Sequence, residues 1–401
     1  MAKPEIRLKG FEGDWVKSIL GDLFKERVES DIHGEMLSVT MNKGIILASE
    51  NGLYDNSNSD KSHYKLVKIG DIAYNSMRMW QGASGCSYFE GIVSPAYTVL
   101  KPNEGIYSPF FAILFKNNNI INTFRLHSQG LTSDTWNLKY PAFSKIAVYY
   151  PLPQEEQTAI SVYFKSLDSM IQATTKKIES LKQMKQASLV SMFPQAGETT
   201  PRVRFKGFEG EWVVKKLSSI ANRVTRKNTH LESTLPLTIS AAEGLIEQTS
   251  FFNNVVASSN VSGYYLVKKG EFAYNKSYSN GYPFGAVKRL DRFEKGVLST
   301  LYIVFSIDEK VSSDYIVQFF ETSLWHQEVA KRAAEGARNH GLLNIGADDF
   351  LDINIYLPNS KDEQQRIASF FRSLDKQISL QEKRLEKLKQ IKAACLDKMF
   401  V

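Results

Sequence analysis

Residues 155–193 read EEQTAISVYFKSLDSMIQATTKKIESLKQMKQASLVSMF, and residues 362–400 read DEQQRIASFFRSLDKQISLQEKRLEKLKQIKAACLDKMF. Gln157 aligns with Gln364, Phe164 with Phe371, Asp168 with Asp375 and Phe193 with Phe400, at one constant offset of 207 and with no Pro or Gly inside either copy. Apolar residues recur at alternating steps of four and three: Ile160, Phe164, Leu167, Ile171, Ile178 and Leu181 in the first copy, and Ile367, Phe371, Leu374, Ile378, Leu385 and Leu388 in the second. That is a heptad seam sustained over about five heptads. A helix of roughly 36 residues would be about 54 Å long, too long for an ordinary surface helix. Two matching seams in one chain predict an antiparallel coiled coil. Thr174 with Gln381, and Lys185 with Lys392, are matched polar seam positions that could set its register.

The repeat extends outward from the helices. RLKGFEGDW at residues 7–15 returns as RFKGFEGEW at 204–212, an offset of 197. KLVKIGDIAYN at 65–75 returns as YLVKKGEFAYN at 265–275, and GIVSPAYTVL at 91–100 as GVLSTLYIVF at 296–305, at offsets of 200 and 205. A period near 200 residues is too long for a solenoid and indicates a duplicated domain-plus-helix unit. Within each copy, the runs ending in AYN read as short alternating strands after a glycine turn. Residues 108–115 and 313–320 read as helices, and 146–150 and 353–357 as last strands stopped by proline. Acidic residues open both long helices, as the helix dipole favours. The segments are therefore a first domain at 1–154, a long helix at 155–193, a linker at 194–203, a second domain at 204–360 and a second long helix at 361–401. The fold class expected is α+β: two globular α/β domains separated by two antiparallel helices, with a pseudo-twofold duplication.

Composition narrows the function. The chain has 401 residues, 43% hydrophobic and 23% charged, with net charge +7, a mild lean toward a polyanionic partner. Cys86 and Cys395 lie far apart, which fits a reducing compartment rather than a disulfide scaffold. The N-terminal segment is not a signal peptide, no run of about 18 apolar residues could span a membrane, and a cytoplasmic protein is expected. No phosphate-binding GxxxxGK[ST] loop exists, and no Asn/Asp-Pro-Pro-aromatic run of the amino-methyltransferase kind. The six histidines are scattered without metal-ligand spacing,. The lone acidic-x-Lys, Asp308 to Lys310, reads as a solvated turn. The chain looks like a binder rather than an enzyme, with no metal site.

Comparing the halves separates frame from candidate specificity. After Asn75 comes SMRMWQGASGCSYFE, and after Asn275 comes KSYSNGYPFGAVKRLDRFEK; further on, SQGLTSDTWNL stands against AEGARNHGLLNI. Both loops diverge inside a kept frame, and both are rich in the side chains that hydrogen-bond base edges and phosphates.

With these residues in view, the chain resembles the specificity subunit of a Type I restriction–modification enzyme. The resemblance rests on the alternation of variable domains with near-identical helices and on YYPLPQEEQTAI (149–160) and IYLPNSKDEQQRI (355–367), where a proline precedes an acidic-Gln helix start. In the second copy Asn359, Ser360 and Lys361 replace a second proline. The resemblance implies that each domain recognises half of a split double-stranded DNA target and that the helices act as a ruler. It also implies two partner methylation subunits that bind S-adenosylmethionine and modify adenine N6. Two partner restriction subunits using ATP and Mg would complete the complex, and this chain would hold no cofactor and perform no chemistry. Half-sites about one helical turn apart leave a spacer of roughly six or seven base pairs. The rival reading is a two-domain coiled-coil adaptor that binds no DNA; it leaves the loop divergence unexplained.

The expected DNA-contacting residues of the first domain are Arg78, Trp80, Gln81, Ser84, Gln129, Thr132, Ser133 and Trp136. Those of the second are Lys276, Tyr278, Asn280, Tyr282, Arg338, Asn339, His340 and Asn344. Arg can bind guanine in two-pronged fashion and Gln or Asn adenine. The basic cluster Arg223, Arg226 and Lys227 suits phosphates, which add affinity without sequence information.

Overall fold

The computed structural model describes residues 2–41, 43–51, 60–195, 197–240, 243–249, 260–277, 281–333 and 343–401. It divides into two compact units, Met1–Lys176 with Glu382–Val401, and Lys177–Gln381. The division runs through both long helices, Gln154–Ser191 and Lys361–Lys398. Each unit thus contains a globular part, the opening stretch of one long helix and the closing stretch of the other.

Strand for strand, the two units share one topology. In the first, a four-stranded antiparallel sheet has the spatial order Phe24–Glu26, Tyr97–Pro102, Ile72–Asn75, Ser84–Cys86. In the second, the order is Ala221–Arg223, Ile303–Ile307, Phe272–Asn275, Ala286–Arg289. The AYN strand lies inside the sheet. Three successive residues, Ile72, Ala73 and Tyr74, are consequently buried, where the sequence pattern led us to expect alternation. A strand covered on both faces has no solvent face to mark with polar residues. Among the described residues three two-stranded pairs complete each unit; one of them, Val16–Ile19 with Ala147–Tyr150, carries the last strand directly into the first long helix. Its counterpart pairs Val213–Lys216 with Asn354–Leu357.

The repeated sequence motifs are anchors for that junction. Arg7 wraps into the GFEG turn, donating to the carbonyls of Glu12 and Gly13, and forms a two-pronged pair with Glu156 at 2.7 and 2.8 Å. Arg204 does the same with Glu209, Gly210 and Glu363. The turn glycines Gly10, Gly13, Gly207 and Gly210 all have positive φ, which a side chain would strain. Glu156 and Glu363 are each 1% exposed, so each buried carboxylate depends on its arginine. Gln157 donates to the Pro151 carbonyl and Gln364 to that of Pro358. The proline-to-Gln signature is therefore a helix-start clamp.

The seam residues do more than face another helix. Ile160, Phe164 and Leu167 share a core with Trp15, Phe110, Phe111, Met399 and Phe400. Ile367, Phe371, Leu374 and Ile378 share one with Phe193, Trp212, Tyr315 and Phe319. Each such aromatic contributes roughly 1.5–3 kcal/mol by burial. Ile171 and Leu385 are only partly buried.

Inside each unit the helical stretches run antiparallel. In the first, Phe164 meets Phe400 at 5.9 Å, Tyr163 hydrogen-bonds Cys395 and Asp168 pairs with Lys392. In the second, Phe371 meets Phe193 at 6.1 Å and Asp375 pairs with Lys185 at 2.7 Å. The two polar lysines are thus salt-bridged, and Thr174 is buried with its hydroxyl on the Met170 carbonyl. In the segment expected as a linker, Pro194 and Pro201 are buried, and Val203 N–H donates to the Ser191 carbonyl.

Candidate nucleic-acid interface

The two divergent loops of the first domain come together because backbone bonds tie them. Asn75 accepts from the Met77 amide and starts a tight turn in which Arg78 N–H donates to Asn75 O and Ala83 N–H to Arg78 O. An asparagine suits this Asx arrangement. A short 3-10 turn, Met79–Gln81, follows, with Met79 buried beneath it. The second loop closes through reciprocal bonds between Gln129 and Asn137 at 3.0 and 2.8 Å, with Thr132 and Thr135 bonded inside it. Leu138 N–H then donates to the Ser76 carbonyl at 2.9 Å. The rings of Trp80 and Trp136 meet edge to face at 5.1 Å, and the Arg125 guanidinium stands over Trp136.

The outcome is one surface. Arg78, Gln81, Gln129, Thr132 and Ser133 are exposed on it, around a floor of two half-buried tryptophans. Leu131, at the tip of the second loop, is fully exposed. Leu131 and Arg125 were absent from our sequence selection; leucine carries no binding signature, and Arg125 lies on the helix Asn118–His127 rather than in a variable loop. The Trp80 indole N–H is used by the Met77 carbonyl, so the ring offers a face rather than a donor. Ser84 corrects the selection: it is wholly buried in the strand Ser84–Cys86 and cannot reach a ligand.

In the second unit the same tie recurs, Leu343 N–H donating to Lys276 O at 3.0 Å. Asn344 is exposed beside it, Tyr282 is partly buried, and the Lys276 ammonium bonds the Ile345 carbonyl. Tyr278, Asn280, Arg338, Asn339 and His340 lie outside the described residues. The basic cluster divides. Arg223 is exposed, within 3.9 Å of Asp348, and Lys227 is exposed with its ammonium over the Tyr265 ring. Arg226, expected at phosphates, is instead held by both carboxylate oxygens of Glu271 at 2.8 and 2.9 Å and by Leu266 O. In the first unit Asp71, the counterpart of Glu271, is paired instead by Arg27, two residues earlier in the register than the position matching Arg226. Both tie the segment that follows a strand to the turn before the AYN strand.

Among the described residues no cluster of His, Cys, Asp and Glu could hold a metal ion. No described helix is long and apolar enough to cross a membrane.

Residues 209–390 match the family model of the Type I restriction modification DNA specificity domain. Among solved structures, the chain is similar to the S subunit of the Type I restriction–modification system from M. genitalium. That match has 15% identity and a TM-score of 0.58, over 100% of this chain and 99% of that one. It is also similar to the HsdS subunit from Thermoanaerobacter tengcongensis, at 15% identity and a TM-score of 0.50 over 96% of each chain. A structure of a Type I R-M system concerned with complex assembly and conformational transition matches at 14% identity, with a TM-score of 0.50. Among curated proteins, none matches. The family match thus covers the second domain and most of the second long helix. The chain as a whole has the fold of a Type I specificity subunit, as its duplicated motifs led us to expect.

Proposed function

We propose that this chain recognises a bipartite double-stranded DNA target and performs no chemistry itself. The observation that carries this is the duplicated frame: in both units one backbone bond joins the same two loops, and the sequences of those loops differ between the halves. A frame that holds two variable loops side by side is suited to reading two different half-sites. In the first unit Arg78, Gln81, Gln129, Leu131, Thr132 and Ser133 face the bases, and Trp80 with Trp136 supports them. In the second, Asn344 faces bases, while Arg223 and Lys227 contact phosphates. The partners are two adenine-N6 methylation subunits, which hold S-adenosylmethionine, and two restriction subunits, which use ATP and Mg, in the cytoplasm. An adaptor without DNA gives no reason for variable loops on a duplicated frame.

The test is methylome sequencing of cells carrying this chain with its methylation subunit. A gapped motif with two unlike arms and roughly six or seven unread bases is expected. Arg78→Ala should relax one position of one arm, at about 1–3 kcal/mol. Absence of chain-dependent adenine methylation, or an ungapped motif, would overturn the reading.

A further inference from the structure

Lys116 stands at the junction of the helices Ser108–Leu114 and Asn118–His127, behind the first loop of the candidate interface. Its backbone is fixed there. Lys116 N–H donates to Ile113 O, and the next residue, Asn117, caps the second helix through its side-chain oxygen. The Asn117 amide also donates to the Leu396 carbonyl of the second long helix at 2.6 Å. From this fixed base the Lys116 ammonium reaches three main-chain carbonyls: Met41 at 2.9 Å, Gly82 at 2.5 Å and Ser84 at 2.9 Å. Gly82 and Ser84 close the turn that displays Arg78 and Gln81; Met41 follows the strand Leu37–Thr40. Gly82 has a φ of +79°, a left-handed conformation that suits glycine at this turn,. Three carbonyl dipoles converging on one point repel unless a cation lies between them. An ammonium with three donors suits such a point.

We propose that Lys116 is a positioning residue for recognition by the first domain: its charged ammonium holds the turn of residues 75–84 in the shape that presents Arg78 and Gln81. The inference rests on the DNA-recognition reading above. It is specific to one half, because the aligned residue of the second half is Glu321. The charged groups facing Lys116 are Lys392 on the second long helix and Asp168 on the first. Burial, and then Lys392, push its pKa down to about 8, against the pull of Asp168. The sign follows. A lysine whose folded pKa lies below its unfolded value is charged at a cost in the fold, and stability rises as pH passes from about 8 toward the free-lysine range. Positioning by the cation is lost over that same interval. Recognition by the first arm should therefore weaken with rising pH while the fold does not.

The experiment uses the full chain assembled with its methylation subunit. The probes are duplexes carrying the gapped site found by methylome sequencing, and duplexes with one arm scrambled. Wild type should lose roughly tenfold or more of its discrimination for the first arm between pH 7 and 9, with second-arm discrimination unchanged. Lys116→Arg, charged throughout, should keep first-arm discrimination at both values. Lys116→Met should lack it at both, with near wild-type binding to scrambled duplex. Equal pH loss on both arms, or full first-arm discrimination in a folded Lys116→Met protein, would overturn the inference. If Lys116→Met does not fold, the pH profiles of wild type and Lys116→Arg decide alone. Wild type that discriminates neither arm would instead sink the DNA-recognition reading.

Discussion

At one place in the shared frame the two halves meet the same need with opposite polarity. In the first half the cation comes from the helical layer, as Lys116, and accepts no side-chain partner from the strand; Gly85, on that strand, packs backbone to backbone against Gly44. In the second half the helical layer supplies an anion, Glu321, and the strand supplies the cation, Lys288, at 2.6 Å. Lys288 stands where the first half has Gly85, as the strand registers show. Its side chain borders a cavity of about 230 Å³ lined also by Gly244, Phe272 and Val287. What the frame preserves is a neutralised contact between layers; which layer bears the charge is free to change, provided that the neighbouring volume changes with it. That is how a duplicated fold can diverge near its variable loops without losing its core.

The anchors where the halves agree should give the largest and most equal effects. Arg7→Met and Arg204→Met each strand a carboxylate that is 1% exposed, and each should cost about 3–5 kcal/mol. Urea melts should show that loss confined to the unit carrying the substitution; a loss under about 1 kcal/mol in either would remove the clamp from the frame.

The second comparison is graded. Arg27 and Asp71 are 6% and 2% exposed at the side chain, whereas Arg226 and Glu271 are 35% and 12%. Arg27→Ala should therefore cost about 3–5 kcal/mol and Arg226→Ala less, on the order of 1–2 kcal/mol, because solvent screens the more open pair. Binding to mismatched DNA should be unchanged by Arg226→Ala. A uniform fall in affinity for every duplex would return Arg226 to the phosphate contacts.

Smallest of all should be the helix pairs. Asp168→Asn and Asp375→Asn remove single, partly exposed ion pairs, and thermal melts should register no more than about 1 kcal/mol for each. A loss several times larger in only one of them would mean that the helical stretches are not equivalent in the two units.

The frame was legible in the sequence because it was written twice. The repeated Arg, GFEG, AYN and EQ motifs located the clamps before their partners were known. The partners themselves were hidden by distance: Arg226 finds Glu271 45 residues away, and the sequence offers only a basic run beside it. Ser84 was misplaced because GASGCS has the composition of a loop, yet Ser84–Cys86 pairs with the AYN strand. Glycine and serine are accepted there because Gly85 lies against Gly44 with no room for a side chain. Lys116 and Arg125 escaped notice because they sit on helical scaffold, outside the variable stretches that drew the search.

The paired contacts of the long helices bear on ancestry. Asp168 pairs with Lys392, and Asp375 with Lys185. Lys392 is the repeat of Lys185, and Asp375 the repeat of Asp168. Each half of the sequence therefore carries both members of the contact, as it does for Phe164 and Phe193 with Phe400 and Phe371. Two identical half-length chains would satisfy every one of these contacts by exchange, the self-complementary pattern of a twofold homodimer. Such a dimer could present only two like globular domains. With both halves in one chain the two domains are free to differ, as their variable loops do.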